Sequence, residues 1–104
     1  MSADNGIYIL ITPLRGDEYL KQYRVIHCQN IEDLYWDSEA RCGSDEIQPA
    51  MLREKFGNIQ PIGNISVARN KAFDMAKEIY NEGLPLEYGI REIRYAKPFP
   101  HSPS

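Results

Sequence analysis

The chain of 104 residues lacks most of the signals that assign a function directly. It holds no apolar run near the roughly 20 residues that span a bilayer, and its opening MSADNG lacks the basic-then-apolar order of a signal peptide. A cytoplasmic protein is therefore expected. Cysteine is scarce: Cys28 and Cys42 are too few for a secreted disulfide scaffold, and in a reducing compartment both are expected as free thiols. Neither Gly-x-x-x-x-Gly-Lys nor Gly-x-Gly-x-x-Gly occurs, which excludes the nucleotide enzymes built on those loops. Positive charge is not in excess. Twelve Lys and Arg against 15 Asp and Glu give a net charge of −3, which argues against general nucleic-acid binding.

Metal chemistry also lacks its spacing. His27, Cys28, Cys42 and His101 are the right residue types, but no two of them stand at the spacing of about two to four residues with which structural zinc sites are closed. The acidic run Glu32, Asp33, Asp37, Glu39, Asp45 and Glu46 has neither the ligand alternation nor the central glycine of a calcium loop, and reads as a solvated face. No metal and no cofactor is expected. His27 and Cys28 are neighbours on a predicted strand, where successive side chains point to opposite faces, so they do not form a catalytic pair. His27 as a general base needs a partner from elsewhere, with Asp33 the nearest candidate. No catalytic residue is assigned.

What is present is a single α+β domain. Hydrophobic residues at 42% and charged ones at 26% are ordinary for a globular chain. Ile7 to Thr12 is apolar on both parities, which predicts a central strand covered on both faces, ended by Pro13. A turn at Gly16 leads into a second strand from Glu18 to Cys28; the Arg15-Gly16-Asp17 tripeptide is read as turn chemistry. Asn30 caps a short helix through Trp36, a polar loop runs from Asp37 to Glu46, and Pro49 to Gly57 form a second short helix. The clearest helix starts at an Asn64 or Ser66 cap and stops at Gly83 and Pro85. Its predicted buried stripe is Ala68, Ala72, Phe73, Ala76, Ile79 and Tyr80. Leu86 to Tyr95 is a third strand, with a β-bulge near Arg91-Glu92 to reconcile its parities. The expected order is β-β-α-α-α-β: a small antiparallel sheet with the long C-terminal helix packed on one face, within residues 1–96. Residues 97–104 read as a mobile Pro-rich tail.

Ala3-Asp4-Asn5-Gly6-Ile7-Tyr8-Ile9-Leu10, Tyr23-Arg24-Val25-Ile26-His27, Ile31 with Leu34-Tyr35-Trp36, and Leu86-Glu87-Tyr88-Gly89-Ile90 together resemble a family of small bacteriophage and prophage proteins without an assigned activity. The resemblance covers most of the chain and carries no functional residue with it. It implies a setting inside a bacterial host cell, among accessory proteins that act on host processes or antiviral defence.

One constellation does point to chemistry. Towards the end of the chain Arg91, Arg94 and Lys97 stand against Glu92 alone, Arg24 lies on the second strand, and Tyr23, Tyr35, Trp36 and Tyr88 are available to stack. Guanidinium groups beside aromatic rings suit a phosphorylated or nucleotide-like ligand, through forked hydrogen bonds and cation–π contact. The expected ligand-binding residues are thus Tyr23, Arg24, His27, Tyr35, Trp36, Arg91 and Arg94, in a non-enzymatic protein that sequesters a small anion and assembles as a homo-oligomer. Strand parity opposes one part of this set, since Tyr23 and Arg24 belong to opposite faces. Two other readings stay open: an inhibitor that binds a host protein through the acidic loop or Tyr35-Trp36, and a small enzyme centred on His27.

Overall fold

The computed structural model describes residues 5–29, 49–87, 89–95 and 97–99. Strand β1 (Asn5–Leu14) and strand β2 (Asp17–Gln29) form a hairpin, followed by helix α1 (Pro49–Phe56), helix α2 (Ile65–Asn81) and strand β3 (Ile90–Arg94). The expected helix at Asn30–Trp36 and the loop to Glu46 lie outside the described residues. The fold is α+β, with three strands in the order β2-β1-β3.

The sheet is mixed rather than antiparallel: β1 pairs antiparallel with β2 and parallel with β3. The reason lies in the connection. A hairpin returns the chain antiparallel, whereas the crossover through α1 and α2 brings β3 to the free side of β1 running the same way. The β1/β3 register is continuous from Ile7↔Ile90 to Ile11↔Arg94, so the bulge expected near Arg91-Glu92 is absent. Gly89, with φ +65, instead turns the chain into a strand that begins only at Ile90. The ladder irregularity falls between Pro13 and Leu14.

Proline 13 does not end β1. Ile7 N–H donates to Gly89 and Ile11 C=O accepts from Tyr95, so the odd-numbered residues of β1 turn their polar backbone toward β3. At position 13 that side lies beyond the end of β3, and no donor is required there.

Both faces of β1 are covered, as its apolar parities predict. On one face Tyr8, Leu10 and Ile93 pack with Leu52 and Phe56 of α1, joined by Tyr95 and Phe99. On the other, Ile7, Ile9, Ile11 and Val25 lie beneath Ala68, Ala72 and Ile79 of α2. Small residues at 68 and 72 let the helix backbone approach the sheet closely. Phe99 is buried, so the mobile tail expected from residue 97 onward is not seen at this position.

Helix α2 is bounded by local chemistry. The Asn64 side chain accepts from Val67 N–H at 3.1 Å. At the other end Leu84 N–H donates to Ile79 C=O and Gly83 N–H to Tyr80 C=O, the paired bonds of a Schellman motif, with Gly83 at φ +81. The buried stripe differs from expectation at its aromatics. Phe73 is 61% exposed and Tyr80 81%. Ile65, Ala68, Ala72, Met75, Ala76 and Ile79 face the sheet, a 3.6-residue stripe that leaves 73 and 80 about 100° round the helix.

Candidate functional site

Alternation and register fix which side chains share the α2 face. Ile11 pairs with Tyr23 on one side and with Arg94 on the other, so Tyr23, Ile11 and Arg94 form one row across the sheet. With strands about 4.8 Å apart, the outer two backbones stand roughly 10 Å from each other. Lys21 stands two residues before Tyr23 on the same face. Ile65 opens α2 above the row, and Arg69 lies one turn further along. Together with Tyr95 they line an open cleft of about 460 Å³. This volume lies within the roughly 300–1,000 Å³ of small-molecule sites.

The floor is apolar and the rim is cationic. Lys21, Arg69 and Arg94 come from three different elements, and Tyr23 offers a half-buried ring. Glu92, two residues before Arg94 on the same face, accepts from Arg69 Nε at 2.7 Å and Nη2 at 3.2 Å. It also accepts from Arg94 Nη2 at 3.3 Å. The hydrogen bond from Arg69 is the main cause that holds the Glu92 carboxyl below the ordinary glutamate value. In return, the hydrogen bond and charge of Glu92 push Arg69 above the ordinary arginine value.

Of the seven residues expected from sequence, this cleft brings together Tyr23 and Arg94. Arg24 lies on the other face, buried, with its Cζ 4.0 Å from the Phe99 ring centroid. Its Nε donates to Ile59 C=O at 3.2 Å and its Nη1 to Gln22 Oε1 at 3.2 Å, and burial lowers its pKa. These contacts tie the segment after α1 and the segment after β3 to β2. Arg91 pairs with Tyr8 and so shares the Arg24 face. His27 keeps the parity of Tyr23 but is exposed opposite Ile7, four residues and about 13 Å along the strand from the cleft. Tyr35, Trp36 and Asp33 lie outside the described residues.

Lys21 and Arg69 are cleft residues that sequence reasoning missed. Lys21 was within reach, because it shares strand parity with Tyr23. For Arg69 there was no sequence signal, since its partner Glu92 is 23 residues away. The Arg15-Gly16-Asp17 turn has a structural role: Asp17 Oδ1 accepts from Tyr19 N–H at 2.9 Å and Leu20 N–H at 3.3 Å.

Among the described residues, no three His, Cys, Asp or Glu side chains gather as metal ligands would, and no helix is long and apolar enough to cross a membrane. Comparison of the chain with protein-family models, with curated proteins and with solved structures returns no match.

Proposed function

We propose that the protein is a non-enzymatic ligand-binding protein that sequesters a small phosphorylated, nucleotide-like molecule in the cleft between Tyr23 and Arg94. The observation that carries this reading is the row Tyr23–Ile11–Arg94 beneath α2, with Lys21 and Arg69 at its rim. A planar base stacks on Tyr23 against the apolar floor, and the phosphate meets the cationic side chains. The bacteriophage setting, with a counter-defence role in the host cytoplasm, follows from the sequence resemblance and belongs to the same proposal. So does assembly with copies of the chain.

Titration calorimetry against a panel of nucleotides and nucleotide-derived signalling molecules tests the reading. Binding of at least one member, weakened about tenfold or more by Arg94→Ala and by Tyr23→Ala, is the expected result. Silence across the panel, with no small molecule co-purifying, would falsify it.

A second reading, an inhibitor that binds a host protein, is favoured by a different surface. Phe73, Tyr80 and Leu84 are 61%, 81% and 47% exposed along the outer side and end of α2. Exposed aromatics of this kind are enriched at protein interfaces. Under this reading, Phe73→Ser with Tyr80→Ser abolishes retention of a host protein, while Arg94→Ala leaves it intact. The acidic loop from Asp37 to Asp45, the other surface expected for such a role, lies outside the described residues.

A further inference from the structure

The two edges of the sheet are not equivalent. The outer side of β2 is engaged at Tyr23, whose C=O accepts from Ile62 N–H at 2.9 Å. On β3 the inner side belongs to β1: Gly89 C=O accepts from Ile7 N–H, Tyr95 N–H donates to Ile11 C=O, and the parallel ladder between them uses the odd-numbered residues. The backbone N–H and C=O groups of Ile90, Glu92 and Arg94 therefore point away from the sheet. Among the described residues these groups have no partner.

An unpaired edge is a template for another strand, and charged side chains on it ordinarily discourage such pairing. Here the charges differ in sign, and that reverses their effect. Pairing β3 with a second copy about a two-fold axis makes the strands antiparallel, and matching their outward groups sets residues of the same parity opposite one another. With the axis at Glu92 or at Arg94, that residue meets its own copy and like charges stand opposite, which is destabilising. An axis at Arg91 does the same on the other face, and one at Ile90 uses only the first residues of the strand. With the axis at Ile93, Glu92 meets the partner's Arg94, and Arg94 meets the partner's Glu92. Both are positions at which facing residues exchange their backbone bonds.

The side chains have capacity for this contact. Among the described residues Glu92 Oε2 accepts only from Arg69 Nε, at 2.7 Å, and a carboxylate oxygen can accept more than one bond. Arg94 uses only Nη2, toward Glu92 Oε1 at 3.3 Å, and its side chain is 66% exposed. Ile90, also exposed, adds apolar surface to the same edge.

We propose that β3 is the edge through which two copies of this chain associate, pairing antiparallel through Glu92 and Arg94 about an axis at Ile93 and joining two three-stranded sheets into one. The inference deepens the assembly part of the function proposed above by giving it a surface, a symmetry and a register. It does not depend on the ligand.

The contact is small, so sedimentation velocity of the full chain at low salt is expected to show a monomer–dimer equilibrium that shifts with concentration and weakens as salt is raised. Hydrogen exchange by NMR over the same dilution series locates the interface. The amides of Glu92 and Arg94 are expected to exchange several-fold faster in dilute than in concentrated protein, while those of Arg91 and Ile93, bonded to β1, do not change. Glu92→Arg sets like charges opposite at both pairs, as Arg94→Glu does, and each is expected to weaken the dimer at least about tenfold. An equimolar mixture of the two variants brings opposite charges back to both pairs and is expected to dimerise nearly as the wild type does. A fold defect in either variant cannot produce that rescue.

A wild-type dimer whose Glu92 and Arg94 amides exchange at one rate at every concentration overturns the proposal and leaves assembly to another surface. A mixture of folded variants that stays monomeric overturns it as well. If a variant fails to fold, the exchange rates of the wild-type amides decide alone. Wild-type protein that is monomeric throughout overturns the proposal together with assembly, and leaves ligand binding to its own titrations.

Discussion

The ring of Tyr8 lies over Gly6, two residues earlier on the same sheet face. A Cβ added at Gly6 would stand 2.6 Å from Tyr8 Oη and 2.8 Å from Cε2 and Cζ. The glycine therefore makes room for a fully buried tyrosine in the α1-side core. Gly6→Ala is expected to cost about 1–3 kcal/mol through overpacking. Chemical denaturation of Gly6→Ala, Tyr8→Leu and the double variant checks the cause. The double variant should be less destabilised than the two single changes added together, because the smaller side chain removes the clash. Strict additivity would show that the cost at position 6 has another origin.

Arg24 should prove structural. Its guanidinium is buried, sits over Phe99 and bonds to Ile59 C=O, on the face opposite the cleft. Loss of the cation–π contact and the hydrogen bonds in Arg24→Ala is expected to cost about 2–3 kcal/mol. Ligand affinity measured on the fraction that remains folded should be unchanged. Thermal melts and calorimetry on the same preparation separate the two effects, and a large loss of affinity at full stability would reverse the assignment.

The side of α2 that meets the sheet can be tested at two adjacent residues. Ile79 is buried against β1, and Ile79→Ala should cost about 2–5 kcal/mol in urea unfolding. Tyr80 is 81% exposed, and Tyr80→Ala should stay within about 0.5 kcal/mol of the wild type. Similar losses at both positions would mean that Tyr80 is covered in solution, as the protein-binding reading requires.

The Arg69–Glu92 pair makes a pH prediction. The folded-state pKa of Glu92 is depressed, chiefly by the hydrogen bond from Arg69. Its contribution to stability is therefore fully present above the ordinary glutamate value, and is lost as pH falls through the lower folded-state value. The contribution is small, because the Arg69 side chain is 54% exposed and solvent screens the pair. Side-chain carboxyl resonances followed by NMR should show Glu92 titrating below an unperturbed glutamate. In Arg69→Ala the midpoint should rise toward the ordinary value.

Much of the local structure is legible in the chain because it depends on near neighbours. Alternation from Ile7 to Thr12 marks a strand covered on both faces, and Asn64 with Gly83 brackets the long helix by bonds that reach only a few residues. Parity along β2 likewise places Arg24 and Tyr23 on opposite faces from the sequence alone. The exposed aromatics were misplaced because Phe73 and Tyr80 lie at the margin of the helix stripe. Hydrophobicity alone cannot tell which margin meets the sheet.

What the chain's own pattern determines, then, is the identity of its strands and helices and which residues share a strand face, since these follow from steric periods of two and 3.6 residues. The choice of neighbours belongs to the tertiary structure alone. Whether β3 joins β1 in parallel, whether Arg94 lands in the row of Tyr23, and whether Arg69 finds Glu92 all depend on how a crossover of some sixty residues closes on the sheet. Packing energy summed over both faces decides that closure, and no local segment encodes the sum.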